Sequence, residues 1–338
     1  MRIRYWGAAL LAAVAVASSG AIAPASAAPA PSVIARYLNS VDVTPLIPAP
    51  LFGAISGIDS VGGGNYSLIS TDVGRMGPAR YYTARVPVDQ GGQISGAPFF
   101  NGGGTVLGPG NIPVLPGGAQ FEGIRKLGAD YVVVSGGANQ FVRVIGALGT
   151  FQRDLPLPRA YQAGRTTGLN GQRGLTGVAV GPRGQVSVLT AGGLKQDPGR
   201  SARLLTFGKR GTTEFVYRTD ADKVAANVIA VNSTDYLVVE RGKGRITRIY
   251  WTSTRGATNV AGKAKLSGAE TPMIKKSVFS SAPVPRLAIG NVSGMAWGPW
   301  LPDTPWAKTR SRSLMLVTND GFNGPTRLHA LEFVTPKR

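Results

Sequence analysis

The chain has 338 residues, with 37 Lys and Arg against 17 Asp and Glu, a net charge of +20, one histidine and no cysteine. Lacking cysteine, it is not a disulfide scaffold, a zinc ribbon, an iron–sulfur protein or a thiol enzyme, and a lone His329 excludes a histidine-rich metal centre within one chain. Hydrophobic residues make up 43%, enough to fill a core, and the 47 glycines and 24 prolines mark a turn-rich chain rather than a low-complexity one.

Arg2 and Arg4 precede an apolar run over residues 7–17, and small residues follow to Ala25-Ser26-Ala27 before Ala28-Pro29. A charged start, a short apolar stretch and an A-x-A ending predict a secretory signal peptide over residues 1–27, and therefore an exported, extracellular protein. Ser18-Ser19-Gly20 interrupts the run before it reaches the length of a bilayer span, and no later segment is long and apolar enough to cross a membrane. Residues 28–48 form a short N-terminal segment with one strand candidate at 33–45. Residues 49–338 form a single repeat domain.

The repeats set the fold. Five segments share a small or polar residue, a glycine and an apolar residue, with Asn227 as the glycine's equivalent in the fourth: Ile55-Ser56-Gly57-Ile58, Phe121-Glu122-Gly123-Ile124, Leu175-Thr176-Gly177-Val178, Ala226-Asn227-Val228-Ile229 and Val292-Ser293-Gly294-Met295. Each leads into a β-rich run, at 66–70, 131–135, 186–190, 236–240 and 314–318. A third alternating run follows at 80–86, 140–145, 202–207, 245–251 and 327–333. β-Branched and aromatic residues at period two, bounded by Gly, Pro and Asn, are strand signals. A fourth run is visible at 151–157 and 213–218. The glycines or their equivalents fall at 57, 123, 177, 227 and 294, a spacing of 50 to 67 residues that suits a four-stranded propeller blade. The predicted fold is an all-β propeller of five blades; a sixth would fit if residues 87–120 and 252–290 hide its strands. The last repeat ends after three strands, so segment 33–45 is expected to supply the missing outer strand and close the ring.

The residues also resemble a known family. Ile55-Ser56-Gly57-Ile58-Asp59, Ser70-Thr71-Asp72, Ala79-Arg80-Tyr81-Tyr82, Phe121-Glu122-Gly123-Ile124, Gln172-Arg173-Gly174-Leu175, Val238-Val239-Glu240-Arg241, Asn291-Val292-Ser293-Gly294, Leu301-Pro302-Asp303 and Thr318-Asn319-Asp320-Gly321-Phe322 occur in the order of the secreted phytase-like family, described as having esterase-like activity of phytase. The resemblance covers roughly residues 52–333 and implies a metal-assisted phosphoesterase or esterase-like site at one mouth of the propeller. It implies Glu122 and Glu240 as catalytic acids and Asp72, Asp320, Glu122 and Glu240 as cation ligands, since calcium takes six to eight oxygens. Thr176 and Ser293 stand where the family places glutamate, Gly137 and Ala191 replace acids after the second strand, and Thr71 and Asn319 each replace one member of an Asp pair. These losses argue against tight calcium binding.

Each retained acid also has a structural reading. Asp72 and Asp320 sit at strand-end turns, where Asp caps the backbone. Glu122 and Glu240 lie in or beside apolar strands, where an ion pair with Arg125, Arg173 or Arg241 would satisfy them. Other chemistries lack their residues: His329 sits in an apolar strand unsuited to a Ser-His-Asp triad, and neither a G-x-S-x-G elbow nor a Walker loop occurs. The basic surplus predicts a polyanionic partner, with Arg75, Arg125, Arg173 and Arg241 as substrate-binding candidates beside Lys195 and Lys243. No nucleic-acid-reading motif accompanies it. Two readings remain. One is a secreted phytase-like phosphoesterase acting on an anionic, phosphorylated ligand. The other is a non-catalytic propeller binding an extracellular polyanion or cell-wall polymer. Either is expected to be a monomer.

Overall fold

The computed structural model describes residues 32–44, 51–171, 174–242, 246–283, 289–319 and 321–337. The expected leader over residues 1–27, Pro45, Arg173, Lys243 and Asp320 lie outside the described residues. Alternating apolar runs broken by turns build twenty strands, and among the described residues no α-helix. β1 (Ile34–Asp42) is followed by four complete sheets: β2 (Ile55–Gly62), β3 (Asn65–Ser70), β4 (Arg80–Arg85) and β5 (Phe99–Thr105); β6 (Phe121–Leu127), β7 (Asp130–Ser135), β8 (Phe141–Ile145) and β9 (Phe151–Leu155); β10 (Leu175–Val180), β11 (Val186–Thr190), β12 (Ser201–Gly208) and β13 (Gly211–Arg218); β14 (Lys223–Ala230), β15 (Asp235–Gly242), β16 (Arg248–Ser253) and β17 (Ile274–Ser280). The fifth sheet holds β18 (Val292–Trp300), β19 (Thr309–Thr318) and β20 (Arg327–Pro336), with β1 as its outer strand.

The first strand of each blade contacts the first strand of the next, β2 to β6 to β10 to β14 to β18 and back to β2. That closed ring of innermost strands is a five-bladed propeller. Among the described residues the two long intervals hold one outer strand each, β5 and β17, and no sixth blade. The expected closure is present: β1 runs antiparallel to β20 from Ile34 opposite Val334 to Asp42 opposite Arg327, covering an edge that would otherwise be open.

The core consists of layers between blades, and the period of two explains it. Both faces of a blade are buried, so successive residues of a middle strand feed different neighbours. Leu314 and Leu316 of β19 pack with blade four, whereas Met315 and Val317 pack with blade one. Tyr131 and Val133 of β7 face blade one, and Val132 and Val134 face blade three. This is why the second strand of every repeat reads as a continuous apolar run.

At the axis, each innermost strand carries a β-bulge at the same place, on Ser56, Glu122, Thr176, Ala226 and Ser293. The glycine after the bulge lets neighbouring backbones meet. A Cβ on Gly57 would stand 2.8 Å from the Cα of Gly123, and one on Gly294 would stand 3.1 Å from the Cα of Gly57. Asn227 takes the glycine position in blade four.

Candidate functional site

The bulged residues ring the mouth at the end where the innermost strands begin, and Glu122 is the acid among them. The hydroxyls in the ring are turned to the backbone. Ser293 Oγ donates to Ile55 O at 2.7 Å, and Thr176 Oγ1 to Ala226 O at 3.2 Å, each reaching into the next blade. Ser56 Oγ donates within its own blade, to Ile69 O at 3.4 Å. At the two positions where a glutamate is missing, therefore, a hydroxyl stitches adjacent blades together.

Glu122 is half-buried, and its Oε1 accepts a hydrogen bond from Gln120 Nε2 at 2.6 Å. Burial pushes its carboxyl above the usual range, while the Gln120 hydrogen bond and the charge of Arg241 oppose the rise. Arg241 is half-buried and donates to Asn291 Oδ1 at 2.6 Å, and Asn291 in turn donates to Asn319 O at 2.9 Å. Glu122 and Arg241 are thus brought into one electrostatic neighbourhood.

Of the other predicted acids, Asp72 and Glu240 are engaged elsewhere. Asp72 is buried, paired with Arg80 Nη1 at 2.9 Å, and caps the backbone N–H groups of Arg75 and Met76. Glu240 is fully buried at the top of β15. It accepts from Tyr217 Oη at 2.7 Å, from the Asp220 N–H at 3.0 Å and from Lys275 Nζ at 2.5 Å. Among the described residues its ion-pair partner is Lys275 on the outer strand of its own blade, not Arg125 or Arg241. Lys275 also bridges to Asp220 at 2.7 Å, and Arg248 pairs with Asp220 at 2.9 Å. Among the described residues no three carboxylates or histidines gather into a set that could hold a cation.

Arg125 does not face the mouth. It is buried on the axis, where its guanidinium donates to the carbonyls of Ile58, Ile124, Val228 and Met295 and to Asn227 Oδ1 at 3.0 Å. One side chain therefore ties together four of the five blades. Asp59 lies 3.6 Å away as counter-ion, its carboxyl raised by burial. Asn227 replaces glycine here because its side chain completes this plug, accepting from Arg125 and donating to Ser293 O at 3.1 Å. Arg75 is exposed on the turn that Asp72 caps. His329 is buried in β20, and among the described residues neither ring nitrogen hydrogen-bonds a serine or carboxylate as a triad would require.

A cleft of about 570 Å³, for which the sequence carries no signal, opens on the mouth side between blades two and three. Asn139, Gln140, Phe141, Tyr161, Gln162 and Lys195 contribute to its wall. It adjoins the Gln120–Glu122 pair: Gly137, also in the wall, sits so close to Gln120 that a Cβ would come within 2.6 Å of Gln120 Oε1. Much of this wall comes from residues 156–171, an irregular connection with no periodic signal.

A profile of the phytase-like family, described as esterase-like activity of phytase, matches residues 50–322. No curated protein sequence matches the chain. Similar solved structures include an exo-β-1,3-galactanase from Phanerochaete chrysosporium, with 10% identity over 88% of this chain and 63% of that one and a TM-score of 0.46. A candidate 6-phosphogluconolactonase from Bacteroides fragilis is also 10% identical, over 80% of this chain and 82% of that one, with a TM-score of 0.34. The chain spans less than two thirds of the galactanase. Such distant likenesses carry no argument about activity. The family match extends over most of the repeat domain, and the chain belongs to the phytase-like family.

Proposed function

We propose that this protein is an exported phytase-like propeller that holds an anionic, phosphorylated ligand at its mouth without a catalytic cation. One observation carries the reading: Asp72 and Glu240, two of the acids that would converge on a cation, are spent on Arg80 and Lys275 inside their own blades. Breaking either pair to free a carboxylate would leave a buried cation uncompensated. The net charge of +20 favours a polyanion at long range, and Arg241 with Lys195 supplies cationic groups on the mouth side. The leader over residues 1–27 supports export.

A second reading is favoured by Glu122. A carboxyl held above its usual range beside a cation is suited to donate a proton to a departing alkoxide, as a phosphoesterase requires. Calorimetry with an inositol polyphosphate in chelator, paired with a phosphoester hydrolysis assay with and without calcium, separates the two. Binding in chelator that weakens with salt, with no turnover, supports the binding propeller. Turnover that requires calcium and is lost in Glu122→Gln overturns it in favour of the enzyme.

A further inference from the structure

At the end opposite the mouth, the β18–β19 hairpin of blade five presents an aromatic and basic surface that the proposed function does not use. The connection contains a tight turn in which the Ala307 N–H donates to Thr304 O at 3.0 Å, with Pro305 and Trp306 at its centre. Proline presets the first central position of such a turn, so the indole is held at a rigid apex. Trp306 is 82% exposed and Trp300 48%. Large apolar side chains clustered on a protrusion mark an interaction surface.

The surroundings specify the partner. Arg310 stacks over Trp300 at 4.2 Å, and Arg312 lies 4.4 Å over Trp297 and 4.8 Å over Trp300. Arg312 is half-buried and donates Nη2 to Gly298 O at 2.9 Å, so the exposed Arg310, stacked by its face, is the guanidinium whose N–H edges can meet a phosphate. Residues 297–312 hold one acid, Asp303, against Lys308, Arg310 and Arg312, and Asp303 is neutralised by Lys337 Nζ at 3.0 Å. Among the described residues neither Lys308 nor Arg310 forms an ion pair. Pro299, Pro302 and Pro305 remove backbone donors that a sugar-binding rim would use. Indoles at an apex with basic groups just behind them match the interfacial layer of an anionic bilayer, where Trp sits among the headgroups and Lys and Arg meet phosphates.

We propose that the β18–β19 hairpin docks the propeller peripherally on an anionic lipid surface, leaving the mouth turned to solvent. Every strand among the described residues lies within 34–336, so the test uses the chain from Ala28, whose remaining tryptophans, Trp251 and Trp297, are buried or half-buried. Vesicles of phosphatidylcholine containing phosphatidylglycerol should bind it, with a blue shift of tryptophan emission and quenching by lipid brominated near the carbonyls; pure phosphatidylcholine should bind far less. The double variant Trp300→Ala, Trp306→Ala keeps the net charge and should bind on the order of tenfold more weakly. Arg310→Glu should weaken binding on the order of tenfold or more by changing the local charge by two. Equal binding by the double variant would reduce the interaction to diffuse charge and overturn the proposal. So would retention of the protein by an acidic polysaccharide through the same residues without vesicle binding.

Discussion

The single histidine offers a direct test of how the ring is closed. His329 lies on β20, opposite Ser40 of β1 and Leu316 of β19, with the Tyr37 ring 6.1 Å away. It is buried, and among the described residues neither ring nitrogen has a hydrogen-bond partner. Burial first, and the charge of Arg327 second, push its pKa from 6.5 down to about 4. The unfolded chain therefore binds a proton between these values and the native state refuses it. The stability associated with the neutral ring is complete above the unfolded pKa and is lost as pH falls toward the folded one. At about 1.4 kcal/mol for each tenfold change in proton affinity, the gap amounts to ~3 kcal/mol, a large part of the ~5–15 kcal/mol typical of a folded domain. Urea unfolding of the wild type and His329→Phe, followed by tryptophan emission from neutral pH to pH about 4, reads the effect as a difference in slope. Contributions common to both proteins cancel. Asp220, which burial alone would raise, is pulled down to about 2 by its hydrogen bonds from Lys275 and Tyr250 and loses its contribution at still lower pH. Because the imidazole is unique in the chain, its NMR titration is unambiguous. An imidazole titrating near its ordinary value, or identical pH slopes for the two proteins, would refute the reasoning.

Deleting residues 28–44 should open the edge of β20 and strip the buried Val33, Ala35 and Val43 from two core layers, costing several kcal/mol at roughly 1.5–3 for each large apolar side chain; an unchanged Tm would show that closure is dispensable. Lys275→Met leaves Glu240 and Asp220 without their shared cation and should cost about 3–5 kcal/mol in urea unfolding, whereas wild-type stability would mean that Glu240 is free for another role. Arg125→Met removes the donor to four carbonyls and Asn227 and leaves Asp59 uncompensated. It should likewise destabilise by about 3–5 kcal/mol; loss of ligand binding at unaltered stability would return Arg125 to the mouth.

Repeat spacing and period-two alternation in the sequence determined the propeller, its blade boundaries and the closing strand, because each blade is buried on both faces and writes that burial into its middle strands. The outer strand β5 was harder to read. Its Gly102-Gly103-Gly104 run lacks strand propensity, and Gly103 is there because a Cβ would come within 2.5 Å of the Tyr81 carbonyl oxygen across the pair. The candidate site was legible in part: the bulge positions, and Glu122 among them, recur at fixed places in the repeat. Partner choice was not legible. Glu240 faces Lys275 35 residues away, and Arg125 reaches carbonyls of Val228 and Met295 103 and 170 residues away. Strand order places a residue on a blade, but only the twist of each blade and the closure of the ring decide which charges meet. A buried charge takes the partner that tertiary packing brings within reach.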